Sequence, residues 1–515
     1  MKKIIFSVTS AFCFFALTQS CNRQENLPPD ASAIDEKEPT SEISLGTELS
    51  KNYPSGTIVL GKQLENPYEL EVMQKAYDNI LTQSPNGKVS GEKLTETHLY
   101  IKFMPESEKE YMILKADSTL ILYNYPLDYE IKVKGNSYQD PEVPVGKPTY
   151  QYCAVETKKE LPKKVKYKVL AKLYIPKSGD GRFTNLPNGR ISNEFSKDLE
   201  IEAFRLTNNL DDIKNSTNKN ARVAGYYPGG RITVWDDSKG QTIGVEGVEV
   251  RARRWFTTYT GFANADGYYT CNGSFENPAN YSINWERYNF EIRDGWQSGA
   301  YYDGPKQSGN WDLNLDGGAQ MFYARIFRAG FRYYYKDING LRRPPENSFW
   351  ATQMHIRAYN ETNSNANGSH CATCRFLGLG SAIKIYNPDR PSNQIFGTTI
   401  HELGHASHWN MDSNGYNNSE TIVAESWARG VQWSIGNLEY PGYVPDYFTN
   451  YTGVVQDMVD GIEGYDQVSG YTIREIEDAL IGQRVWHNWK YNIIISHDNA
   501  TENNVPDLFI YWGNF

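Results

Sequence analysis

Apolar and polar positions along the chain change period several times, and each change marks a different kind of segment. Residues 66–77 carry their apolar positions at helical spacing, whereas 98–103 (His-Leu-Tyr-Ile-Lys-Phe) read as a strand. Residues 131–134 and 165–169 alternate apolar and polar, and the second stretch runs on to Leu173. Residues 51–225 are therefore a mixed α/β region, and nothing in them has a catalytic spacing. The pattern then becomes all-β. Residues 247–252 alternate, 257–266 form a second strand and turn, and Asp266-Gly267-Tyr268-Tyr269 is a turn into a third strand. Tyr281-Ser282-Ile283 continues the series. Beyond residue 300 helices return. Phe322, Ile326, Phe327, Phe331 and Tyr334 recur at helical spacing, and no proline interrupts 394–410. Residues 419–428 and 472–491 also read as helices, and 349–358 and 381–386 as strands. The whole predicts a multidomain α+β protein: a mixed region at 51–225, a β-sandwich at 226–300 and a C-terminal α/β domain at 301–515.

The first fifty residues follow none of these patterns. Lys2 and Lys3 precede an apolar run, 4–17, too short to span a bilayer as a stable helix. Ser20-Cys21 follows. The stretch 1–20 resembles a bacterial lipoprotein signal peptide, although the leucine stands four residues before the cysteine rather than three. That resemblance implies lipidation at Cys21 and a tether to a cell-envelope membrane, at the outer membrane or cell surface. Residues 21–50, rich in Glu, Asp, Pro and Ser and without aromatics, are the expected disordered tether.

Charge narrows the partners. The formal net charge is −10 and no basic run could grip phosphates, so nucleic acid is excluded as a partner. Aromatics make up 14% of residues, with 37 Tyr and 12 Trp; ordinary strand and core packing accounts for them first, ahead of a sugar- or peptide-facing surface. Cys371-Ala372-Thr373-Cys374 is spaced for a local disulfide in an oxidising envelope or for free thiols, and there is no second Cys-x-x-Cys to complete a structural metal site with it and His370.

The candidate chemistry lies in His401-Glu402-Leu403-Gly404-His405. Histidines at i and i+4 share one helical face, so both imidazoles can reach one metal ion. Glu402 beside them can serve as base for a water that the metal activates. Catalytic zinc takes three protein ligands and keeps one position open, so a third ligand is needed. Glu425 stands twenty residues on, framed by Ile422, Val423 and Trp427. A carboxylate among apolar residues is costly to bury unless paired or metal-bound. Glu420 and His408 are the rivals. Glu420 points about 140° away from Glu425 on a helix and suits the helix dipole. His408 would put three ligands on one straight helix.

This constellation resembles the gluzincin metallopeptidases, of which thermolysin is the familiar member, in its His-Glu-x-x-His helix and downstream helical glutamate. The resemblance implies that His401, His405 and Glu425 bind Zn2+ and that Glu402 is the base for hydrolysing a protein or peptide substrate. It also implies that the strand at 381–386 is the sheet edge that pairs with an extended substrate. Metzincins fit less well, since they place glycine at 408 and histidine at 411, where this chain has His408 and Met411. The thermolysin pattern fails at Arg429, where that family has an acid supporting the first histidine. Tyr443, Tyr465 and His487 are the candidate oxyanion donors. Separately, Gly247-Val248-Glu249-Val250 followed by Ala265-Asp266-Gly267-Tyr268-Tyr269 resembles the carboxypeptidase regulatory-like, transthyretin-like sandwich, which implies a spacer or docking module. Two alternatives to a peptidase remain: a surface binding protein on a degenerate zincin fold, and a zinc hydrolase acting on a non-peptide or glycan-decorated substrate.

Overall fold

The computed structural model describes residues 56–82, 93–144, 147–176, 192–213, 225–295, 299–347, 353–371 and 382–514. The signal stretch, Cys21, the tether and Cys374 lie outside the described residues. Cys371 is disulfide-bonded, and Cys153 and Cys271 are free and buried. No helix among the described residues is long and apolar enough to cross a membrane.

In the N-terminal region the strand His98–Phe103 runs between Gln151–Glu156 and Tyr167–Leu173 in a three-stranded antiparallel sheet. Its side chains feed two cores. Ile101 and Phe103 pack with Leu114 of the helix Glu108–Ala116. Tyr100, facing the other way, joins Met73 and Tyr77 of the helix Leu70–Thr82 and Leu199 and Ala203 of the helix Ser192–Leu206. That second core also takes in Trp255, Phe256 and Tyr301, so the region is packed directly onto the central sheets.

Two four-stranded sheets follow. One has the order Tyr268–Thr270, Gly229–Asp236, Leu313–Leu315, with Gln241–Gly244 also paired to Gly229–Asp236. The other has the order Tyr301–Gln307, Ala279–Asn284, Glu249–Arg254, Thr257–Phe262. They share a core that includes Ile232, Val234, Val250, Tyr281 and Ile283. Pairing crosses residue 300 in both directions. Tyr301–Gln307 and Leu313–Leu315 return to these sheets, while Phe290–Asp294 leaves to start the C-terminal one.

Among the described residues the C-terminal sheet has five strands in the order Glu286–Arg287, Phe290–Asp294, Met354–Ala358, Ala382–Ile385, Gly368–Cys371. The middle three are parallel and the outer two antiparallel to their neighbours. This corrects the expectation for 381–386. Ala382–Ile385 is an interior strand, held between Met354–Ala358 and Gly368–Cys371. Its buried Ala382, Ile383 and Ile385 suit a position covered on both faces. Among the described residues the edge strand beside it is Gly368-Ser369-His370-Cys371, whose composition gives hydropathy nothing to detect. The helix expected at 472–491 is likewise two, Ile473–Leu480 and Trp486–Ser496, separated where Gly482 takes a φ of +77°.

A buried ion network joins the three regions. Arg293 makes a bidentate pair with Glu108 at 2.8 and 3.0 Å and bonds Glu291 at 2.8 Å. Lys115 bridges Glu286 and Glu291, and Arg251 of the central sheets bonds Glu249 and Glu286. Burial alone would push the Glu291 carboxyl up, but Lys115 and Arg293 hold it well below the usual range. Removing one member strands a buried charge at a cost of about 3–5 kcal/mol, so the network fixes the regions relative to one another.

Candidate metal centre

Two helices carry the centre. The histidine helix, Ser392–Met411, packs on the glutamate helix, Thr421–Glu439, on the helix Gly318–Tyr335 and on the strands Gly368–Cys371 and Ala382–Ile385. Gly404 faces the glutamate helix at this crossing, where a Cβ would make ordinary contact, 3.4 Å from Val431 and 3.5 Å from the Ala428 backbone. The central sheets hold the ends of both helices. Asp237 accepts from the Ser392 backbone N–H at 2.9 Å and Ser238 Oγ from that of Asn393 at 3.0 Å, capping the histidine helix. At the far end of the glutamate helix, Lys239 pairs with Glu439 at 2.6 Å and Tyr440 donates to Asp236 at 2.8 Å. The central sheets thus hold the helices that carry the centre.

The structure brings His401, His405 and Glu425 together. His401 Nε2, His405 Nε2 and Glu425 Oε2 form a triangle with every side 3.1 Å. All three residues are buried. Hydrogen bonding does not account for this convergence. Each Nε2 carries at most one proton, and a carboxylate only accepts, so two imidazoles can bond Glu425 but cannot also bond each other. A tetrahedral ion with ligand distances of about 2.0–2.1 Å would space its donors by roughly 3.3 Å. Two imidazole nitrogens and a carboxylate oxygen at this spacing fit zinc. Burial would raise the Glu425 carboxyl, but His405 and His401 hold it well below its ordinary range.

Glu402 lies beside the triangle, 4% exposed, and its Oε2 has no hydrogen-bond partner. Burial, opposed by His401 and reinforced by Glu425, pushes its carboxyl up to about 8. Its other face is covered by the edge strand: a Cβ on Gly368 would stand 2.7 Å from Glu402 Oε1. Only a glycine lets this strand approach the carboxyl so closely.

The other residues singled out in the sequence stand outside the triangle. Glu420 precedes the glutamate helix and accepts from the Trp486 backbone N–H at 2.7 Å. His408 is buried with neither ring nitrogen hydrogen-bonded, and burial pushes it down to about 3. Arg429 donates to Pro445 O at 2.7 Å and Asp446 O at 3.2 Å. Tyr443 packs against Gly397 and Gly436 and its hydroxyl accepts from Gln432 at 2.7 Å; Tyr465 donates to Asp457.

The rings set against the ligands are ones that sequence reasoning passed over. Tyr451 stacks on His401 with centroids 5.6 Å apart. Tyr416 stands edge-on to His405 at 5.9 Å, and its hydroxyl is 3.1 Å from His370 Nδ1. Tyr416 sits on a short helix, Ser413–Asn417, which Asp412 caps through Gly415 N–H at 2.8 Å. The Asp-Ser-Asn-Gly run marks that turn, but no periodicity points Tyr416 at a metal. In comparison with known proteins, the chain matches no family model and no curated protein sequence.

Proposed function

We propose that the chain is a zinc-dependent metallopeptidase of gluzincin type, tethered through Cys21 at a cell envelope. The observation that carries this reading is the 3.1 Å triangle of His401, His405 and Glu425 with the buried carboxyl of Glu402 beside it. Zinc bound there supplies Lewis-acid polarisation of a carbonyl and lowers the pKa of water. His401 and His405, fixed one turn apart, and Glu425, from the second helix, hold the ion in a rigid frame. Glu402 takes a proton from the attacking water at its carboxylate and returns it to the leaving amine. The edge strand, Gly368–Cys371, is the element beside Glu402 along which an extended peptide can align. A non-peptide substrate is a second reading of the same chemistry, and a binding protein would have no use for Glu402.

The test is zinc content with cleavage of a diverse peptide library by the purified protein. The expected result is about one zinc per chain and hydrolysis that a chelator abolishes and zinc restores. A zinc-loaded protein that cleaves no peptide would overturn the peptidase reading. Gly368→Ala gives a sharper check. Its Cβ would meet Glu402 Oε1 at 2.7 Å, Glu402 Cγ at 2.8 Å and Thr398 Cγ2 at 2.9 Å, so the strand and the base must shift relative to one another. A displacement of ~1 Å costs about 100-fold in rate. The expected variant keeps zinc and loses about that factor in kcat.

A further inference from the structure

The segment after the glutamate helix is bound to that helix on both sides of Phe448, the more exposed of two neighbouring aromatics, Tyr447 and Phe448. On one side Arg429 holds the carbonyls of Pro445 and Asp446, and its guanidinium lies 4.0 Å from the Tyr447 ring centre. On the other, Ser426 Oγ donates to Asn450 O at 3.1 Å and accepts from Thr452 Oγ1 at 2.8 Å. Ser426 directly follows Glu425, and Arg429 is one turn on. Between these anchors Phe448 and Tyr451 close a tight turn, with Tyr451 N–H donating to Phe448 O at 2.8 Å and Asn450 at a φ of +73°. Tyr451 lies on His401, and Phe448 stands edge-on to Tyr451 with centroids 6.2 Å apart. Phe448 is 51% exposed.

An exposed aromatic on a protein surface needs no explanation by itself. This one is different in its setting. It is fixed by the helix that supplies a metal-binding carboxylate, and it is two ring contacts from His401. A rigid ring that has already lost its freedom gains apolar contact at little further entropic cost. The ring pair offers edges and faces but no charge, so it discriminates by apolar area.

We propose that Phe448 is the specificity-determining contact of the centre, receiving a large apolar or aromatic side chain of the polypeptide substrate close to the scissile bond. This rests on the metallopeptidase reading. Ser426 and Arg429 are positioning residues that hold the turn.

The experiment measures kcat/KM for paired peptides that differ only in carrying Phe, Leu or Ala beside the cleaved bond. It uses the full chain, with wild type, Phe448→Ala and Phe448→Leu, and zinc content measured for each. An apolar contact of this size is worth about 10- to 200-fold in discrimination. Wild type should prefer Phe and Leu over Ala. Phe448→Ala should lose at least about tenfold of that preference with zinc unchanged, and Phe448→Leu should restore most of it. An unchanged Phe-to-Ala ratio in Phe448→Ala, with wild type active, overturns this assignment and leaves the peptidase reading standing. A zinc-loaded wild type that cleaves no peptide overturns both.

Discussion

Glu402→Gln is expected to abolish most peptide hydrolysis while leaving the protein folded and its zinc in place. Glutamine has the shape of glutamate, so it fills the same space beneath Gly368, where a single added carbon would stand 2.7 Å from the carboxyl oxygen. It adds no charge to a buried site, so the variant carries no new desolvation cost. The ligand triangle does not include it, so zinc content should stay at the wild-type value. What glutamine cannot do is accept a proton. General acid–base assistance contributes about 10²–10⁴-fold, and the loss should fall in that range. The measurement is kcat for the peptide that wild type cleaves best, with zinc determined on the same samples. Equal rates in the two proteins would mean that Glu402 is not the base.

How much of this was legible beforehand follows from what each residue's signal depends on. The i, i+4 histidines and Glu402 are a local matter of helical geometry, and one helix carries them all. Glu425 required a second helix, yet its apolar frame of Val423 and Trp427, both fully buried, left the carboxylate needing a partner. The edge strand was misplaced because alternation and apolar content report burial, and the strand beside a reactive centre is the less buried one. Ala382–Ile385 looked like a strand because it is interior; Gly368–Cys371 did not, because its glycine serves the approach to Glu402. The exchange of strands between central and C-terminal sheets was invisible for a related reason. Glu291 and Arg293 are buried by ion pairs from distant residues, so their polarity gives no hint of where Phe290–Asp294 goes. Asp237 caps a helix that begins 155 residues later, and no local pattern encodes that.

The choice of third ligand yields the second large effect. Glu425→Ala should reduce bound zinc from about one per chain to near none after dialysis, because two histidines alone fall short of the three protein ligands that zinc requires. Glu420→Ala should keep its zinc. Its carboxylate accepts from the Trp486 backbone N–H at the exposed start of the glutamate helix, so losing it costs about 1 kcal/mol of stability and nothing at the centre. Thermal unfolding separates the two independently of activity. A ligand that binds only the folded state at about 1,000 times its Kd adds about 4 kcal/mol. Zinc should therefore raise the melting temperature of wild type and Glu420→Ala and leave Glu425→Ala where it was. The geometry makes this asymmetry strict, since Glu425 Oε2 lies 3.1 Å from both imidazole nitrogens while Glu420 serves the neighbouring helix at 2.7 Å. Zinc retained by Glu425→Ala and lost by Glu420→Ala would remove the triangle as the metal centre, and with it the observation on which the proposed activity stands.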